Sequence, residues 1–228
     1  MASSKTITLA LVGDGTVGKS SITQVFVKDG FSPVYRQTLG VDFLEKKCSL
    51  RGDMAVSVRL RDIGGQSISS SNLDKYISGA DGVFLVYDTT NADSFNNLDD
   101  WLTMVRKHCP PKSRLYLLGN KVDLMSSRQV SEDAHKKFAI DESLGGHMLV
   151  SAKSGEQLMR GFYRAMMEIC DLPVTEADLA AHDKVLSAAV TLSGDDEART
   201  AFADEIEEEE RRAHERSQAG CAGACVIC

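Results

Sequence analysis

The octapeptide Gly13-Asp14-Gly15-Thr16-Val17-Gly18-Lys19-Ser20 constrains this chain more than any other stretch. It follows the apolar run Ile7–Val12 and leads into Ser21-Ile22-Thr23-Gln24-Val25-Phe26-Val27, which reads as a helix start. Strand, glycine-rich loop and helix in register is the context a phosphate-binding loop requires, and the spacing G-x-x-x-x-G-K-S is complete. Its glycines let backbone N–H groups turn toward an anion, and the helix N-terminus adds its positive end. Lys19 can reach the outer phosphates, and the Ser20 hydroxyl can ligate a magnesium ion.

The rest of the chain reads as strands alternating with helices. Strands are expected over 5–12, 41–50, 55–60, 83–87, 115–118 and 148–150, and helices over 18–29, 92–108, 131–142 and 155–170. Asp62-Ile63-Gly64-Gly65-Gln66 is followed by a Ser-rich segment to about Ser78 that is expected to be mobile. Such alternation implies an α/β fold with right-handed crossovers and a mostly parallel six-stranded sheet covered on both faces. The 41–60 hairpin adds one antiparallel edge strand. Ligands of open α/β sheets sit at the carboxyl ends of the strands. The notable motifs fall there, at 13–20, 62–66, 120–123 and 151–153.

Charge divides the chain. Residues 1–171 carry a balance of +1 and residues 172–228 a balance of −8, within a net charge of −7. The domain expected over 1–173 is thus followed by an acidic tail over 174–228, expected to be disordered or transiently helical, with Glu207–Arg211 and Glu208–Arg212 at helix-pairing spacing. No basic footprint for nucleic acid is present. No apolar run approaches the roughly 20 residues of a membrane span, and no signal peptide is apparent, so a cytosolic location is expected. Six cysteines in that compartment are not a disulfide framework. Cys221, Cys225 and Cys228 crowd the end, where Cys225-Val226-Ile227-Cys228 looks like a prenylation signal with Cys221 or Cys228 as second sites.

Asp62, at a strand end, occupies the position of a carboxylate that holds magnesium through water. Gly65 would present an N–H to the terminal phosphate, and Gln66 would orient the attacking water. Asn120-Lys121-Val122-Asp123 follows a buried strand. The Asp123 carboxylate only accepts hydrogen bonds, which suits the paired N–H donors of guanine; adenine has no such pair. Ser151-Ala152-Lys153 would add a backbone N–H near the base carbonyl.

Phosphate loop, loop threonine, D-x-x-G-Q, N-K-x-D and S-A-K stand in the order and spacing of Ras-like small GTPases, and the resemblance covers residues 5–170. Tyr35 to Phe43, Tyr87-Asp88-Thr89-Thr90 and the helix with Ser94-Phe95 and Trp101 resemble the Rab branch. Arg-Gln-Thr-Leu-Gly with Asp-Ile-Gly-Gly-Gln is most similar to its atypical subgroup numbered twenty-eight. The resemblance implies a GTP-hydrolysing switch of membrane traffic that uses GTP, GDP and Mg2+. Thr38 would be the switch ligand for magnesium and Phe31 the aromatic on guanine, with Ser21 and Tyr35 as further nucleotide contacts. Exchange factors, activating proteins, effectors and a chaperone for the lipidated tail would be partners of a monomer. It would be cytoplasmic and peripheral on the cytosolic face of endosomal or ciliary membranes. Two other functions fit parts of the pattern: a nucleotide-bound scaffold with negligible hydrolysis, against which the intact Gln66 argues, and a P-loop phosphotransferase, against which N-K-x-D argues.

Three departures from that family stand out. Arg61 replaces the usual Trp, removing one member of an aromatic recognition patch. Gly64 replaces Ala, so the loop has more backbone freedom and costs about 0.5–1 kcal/mol more to order; alanine at 64 is expected to stiffen it. The C-terminus is neither a Cys pair nor a standard C-a-a-X.

Overall fold

The computed structural model describes residues 5–28, 37–51, 54–66, 73–180 and 182. The chain divides into units 1–188 and 189–228, and the described residues all lie in the first. Phe31, Tyr35, Cys221, Cys225 and Cys228 lie outside the described residues.

Six strands form one sheet in the order β2-β3-β1-β4-β5-β6. They are β1 (Lys5–Val12), β2 (Val41–Leu50), β3 (Met54–Ile63), β4 (Gly82–Asp88), β5 (Arg114–Asn120) and β6 (Gly146–Leu149). β2 runs antiparallel to β3 at the edge, and every other pair is parallel. β1 is flanked by β3 on one side and β4 on the other, so the order of connection reverses at its carboxyl end. That is the crevice where α/β sheets bind ligands, and the 13–20 loop leaves from it.

Seven helices accompany the sheet among the described residues: α1 (Lys19–Lys28), α2 (Leu73–Ile77), α3 (Ala92–Asn96), α4 (Leu98–His108), α5 (Glu132–Asp141), α6 (Leu158–Ile169) and α7 (Glu176–Ala180). Alternation along β1 sorts its side chains to two cores. Ile7, Leu9 and Leu11 pack with Phe26 of α1 and Phe162 of α6. Ala10 and Val12 pack with Leu73 and Ile77 of α2 and Trp101 and Val105 of α4. The rings of Phe26 and Phe162 stack at 4.2 Å. Every residue of β4 is buried, which explains its apolar run Val83–Tyr87: a strand covered on both faces has no polar side to show. Each such large apolar side chain contributes about 1.5–3 kcal/mol on burial.

The structure departs from the sequence expectation in three elements. Within the Ser-rich segment expected to be mobile after Gln66, Leu73–Ile77 is helical, with Leu73 and Ile77 buried one turn apart. The 92–108 helix is divided at Asn97, whose side chain turns to the phosphate loop. The chain also stays folded past Pro173. Among the described residues α7 places Leu179 in a buried position, and Arg160 of α6 pairs with its Glu176.

Candidate nucleotide site

A cavity of about 430 Å³ opens at the carboxyl ends of β1, β3 and β5. It is lined by the phosphate loop, by Thr38, Gly64, Gly65 and Gln66, and by Asn120, Lys121, Asp123, Ala152 and Lys153. Residues far apart in sequence thus meet in one cleft.

The loop is held open from within. Lys19 is almost fully buried, and its Nζ donates to the carbonyls of Gly13 (2.8 Å) and Asp14 (2.6 Å). Burial lowers its pKa from 10.5 to about 8, with Asp62 and Asp14 pulling the other way. An arriving phosphate group would restore the lost charge stabilisation. Asp14 is gripped at both carboxylate oxygens: Trp101 Nε1 donates to Oδ1 (2.8 Å) and Asn97 Nδ2 to Oδ2 (2.7 Å). This tie between the loop and α4 was not legible in the sequence, where Trp101 reads only as a core position.

Asn120 joins the phosphate loop to the 151–153 loop. Its Nδ2 donates to Val17 O (2.9 Å), and its Oδ1 accepts from Ala152 N (3.0 Å). Of the 151–153 loop, expected to offer a backbone N–H near the base carbonyl, the Ala152 N–H is bonded to Asn120. Gly18 is fixed as glycine by both its φ of +97° and the 2.3 Å at which a Cβ would meet Asn120 Nδ2. Ser151 Oγ donates to Asp123 Oδ1 (2.6 Å), leaving Oδ2 as a further acceptor at the cavity. Lys121 has φ +68° and pairs with Asp88 at 2.6 Å.

Ser20, Thr38 and Asp62 converge at the other end. The Ser20 and Thr38 hydroxyls lie 2.9 Å apart, and Thr38 Oγ1 is 3.5 Å from Asp62 Oδ2. Asp62 Oδ1 is buried without a hydrogen-bond partner, and burial raises the carboxyl's pKa. Two hydroxyls and an unsatisfied buried carboxylate oxygen are hard donors that suit magnesium. This donor set fits the ion that the sequence pattern implies.

The two segments beside this cluster touch directly. Gly64 N donates to Gly40 O at 2.8 Å. A Cβ on Gly64 would lie 2.4 Å from Thr38 O, and one on Gly65 2.1 Å from Gly15 N. Glycine at 64 therefore permits close approach, and alanine there would push on Thr38 rather than simply stiffen the loop. Arg61 has a further role: its guanidinium donates to Tyr76 O (2.9 Å) and Ser78 O (2.7 Å), closing the carboxyl end of α2. Phe43, its cross-strand partner, is exposed, as is Leu39.

A phosphate-loop sequence, the Asp123 carboxylate and a cluster of hard oxygen donors around one cavity on this sheet fit a P-loop GTPase. The Ras family matches residues 8–171. The chain belongs to that family, in its Rab branch. It is a small GTPase switch of membrane traffic that binds GTP and GDP with Mg2+ and hydrolyses GTP. It is 42% identical over 189 residues to Ras-related protein Rab-28 of Caenorhabditis elegans, covering 82% of this chain and 76% of the relative. Rab-10 of the same organism is 36% identical over 155 residues, 68% of this chain and 76% of the relative. Human Rab-8B is 33% identical over 161 residues, 71% and 77% of the two chains.

Proposed function

We infer that GTP holds the 31–42 and 62–78 segments together across the nucleotide site and that hydrolysis parts them, with effectors recruited in the joined state. The Gly64–Gly40 hydrogen bond beside the Ser20–Thr38–Asp62 cluster carries this reading. Any ligand that pulls Thr38 toward Ser20 also stabilises that bond. Differential contact of this kind is what an order–disorder switch needs.

The roles divide by chemistry. Phosphate groups are held by the backbone of Gly13 to Gly18, by Lys19 and by Gly65. Ser20, Thr38 and Asp62, the last through water, hold Mg2+, which when bound neutralises charge on the phosphates. Asn120, Lys121, Asp123 and the 151–153 loop hold guanine, with Ser21, Phe31 and Tyr35 as further contacts. Gln66, exposed at the cleft mouth, orients the attacking water. No arginine among the described residues lines the cleft, so an activating protein supplies one in trans.

Single-turnover hydrolysis and nucleotide competition test these assignments together. Asp123→Asn should lose affinity for GTP and gain it for xanthosine triphosphate, whose carbonyl replaces the guanine amine. Gln66→Leu should retain affinity and slow hydrolysis. Native GTP affinity in Asp123→Asn, or native turnover in Gln66→Leu, would remove that residue from its role.

The protein acts as a monomer on the cytosolic face of endosomal or ciliary membranes, anchored by lipid on Cys225, with Cys221 or Cys228 as second sites, and handled by a lipid-binding chaperone. The tail's balance of −8 supports two attachments, because an anionic leaflet repels it and a single chain binds only marginally. Mass spectrometry of the C-terminal peptide decides. Loss of Val226-Ile227-Cys228 indicates modification at Cys225, lipid on Cys228 indicates the other route, and an unmodified tail in cells rejects both.

A further inference from the structure

Successive residues of a strand face opposite sides of a sheet. At the end of β3 this alternation sends Asp62 toward the Ser20–Thr38 cluster and its neighbour Arg61 toward α2. The two faces of one short stretch of backbone therefore serve the hard-oxygen cluster and a helix at once.

α2 depends on outside support. Five residues are too few for a stable helix in isolation, and the last carbonyls of a helix have no partner within it. Asp74 O accepts from Ser78 N, and Ile77 O from Ala80 N. Tyr76 O and Ser78 O are both taken by Arg61 Nη1. On the buried side, Leu73 and Ile77 pack in one cluster with Ala10, Val12 and Ile63.

The clasp extends to the other segment of the cleft through Tyr76. This residue is half-buried and packs on the same cluster, as does Val41 of β2. Its hydroxyl lies 3.6 Å from the place that a Cβ on Gly40 would take. The carbonyl of Gly40 accepts from Gly64 N, one step beyond the Val41–Ile63 pair of the ladder. Arg61, Tyr76, Gly40 and Gly64 thus make a continuous line of contacts from β3, through α2, to the bond between the two segments.

The geometry points to Arg61 as a positioning residue of the nucleotide switch: by fastening the carboxyl end of α2 to β3 it seats Tyr76 beside Gly40 and favours the joined arrangement. This assignment rests on GTP joining the two segments. Gly40 keeps its place beside Tyr76 only while they are joined, so Arg61 contributes more to the GTP state than to the GDP state. Such a difference is what a bias on a two-state equilibrium requires; a helix cap that acts alike in both states would shift nothing.

The test measures the affinity of full-length protein with Mg2+ for GDP and for a non-hydrolysable GTP analogue. Arg61→Leu should weaken the analogue by about threefold to tenfold and change GDP by less than about twofold. Arg61→Lys, which can still donate to one carbonyl, should show a smaller change of the same sign, and it decides the matter if Arg61→Leu does not fold. Tyr76→Ala should shift the ratio of affinities likewise, and Arg61→Leu added to it should shift that ratio no further. An unchanged ratio, or equal losses for both nucleotides, overturns the proposal and leaves Arg61 as a plain cap of α2. Amide exchange at Gly64 separates this failure from that of the switch itself. Equal exchange in native protein with GDP and with the analogue would remove the switch reading. Exchange that depends on the nucleotide, with a ratio that Arg61→Leu leaves alone, would remove the role of Arg61 only.

Discussion

Replacing Trp101 by Phe tests whether the grip on Asp14 steadies the phosphate loop. The indole is fully buried, and its Nε1 lies 2.8 Å from Asp14 Oδ1. Phenylalanine keeps most of the packing and removes the donor. A hydrogen bond to a charged acceptor contributes about 1.5–3 kcal/mol. Asp14 is only half-buried, so the lower end applies, about 1.5 kcal/mol. The variant also loses buried area, so the bond must be isolated with Asp14→Ala and the double variant. For a domain of this size each kcal/mol shifts Tm by roughly 2–4 °C, and the coupling should appear as roughly 3–6 °C. Thermal unfolding at saturating GDP and Mg2+ keeps the ligand contribution fixed. Release of GDP should quicken in parallel, because the Asp14 carbonyl that Lys19 holds at 2.6 Å belongs to the same turn. A coupling below about 0.5 kcal/mol would show that Trp101 acts through packing alone.

Two other outcomes are expected. Gly64→Ala must move Thr38 O by about 0.6 Å to relieve a 2.4 Å contact; the overpacking cost of about 1–3 kcal/mol exceeds the 0.4–1 kcal/mol gained from a less flexible unfolded chain. Amide exchange at Gly40 and Gly64 in the GTP state should then accelerate, and unchanged exchange would mean that the segments adjust at no cost. For Lys19, burial sets the folded pKa at about 8, below the unfolded 10.5. The nucleotide-free protein should therefore gain stability as pH rises between those values, while nucleotide affinity falls. Binding of GDP near pH 9 should take up a proton, seen by calorimetry in buffers of different ionisation enthalpy; heats independent of buffer would refute it.

The lining of the cleft was legible in the sequence, because its short motifs fall at strand ends. The cleft brings Lys19, Thr38, Gln66, Asn120, Asp123 and Ala152 together as expected. What it did not disclose were bonds between side chains and distant backbone. Nothing near Arg61 announces the Tyr76 and Ser78 carbonyls, and Asn97 reads as any helical polar residue. The helix α2 was missed because five residues are shorter than the window over which helical period can be read. α7 was missed because its acidic composition matches the tail that follows, although Leu179 is buried.

Asn120 turns the cleft into a ruler. Because one side chain is fastened to Val17 at the phosphate end and to Ala152 at the base end, the span between those ends belongs to the protein and not to whatever enters it. A ligand must bring its own base and phosphates to fixed marks. One that is too short reaches only one mark, and an error at Asn120 would recalibrate both ends at once.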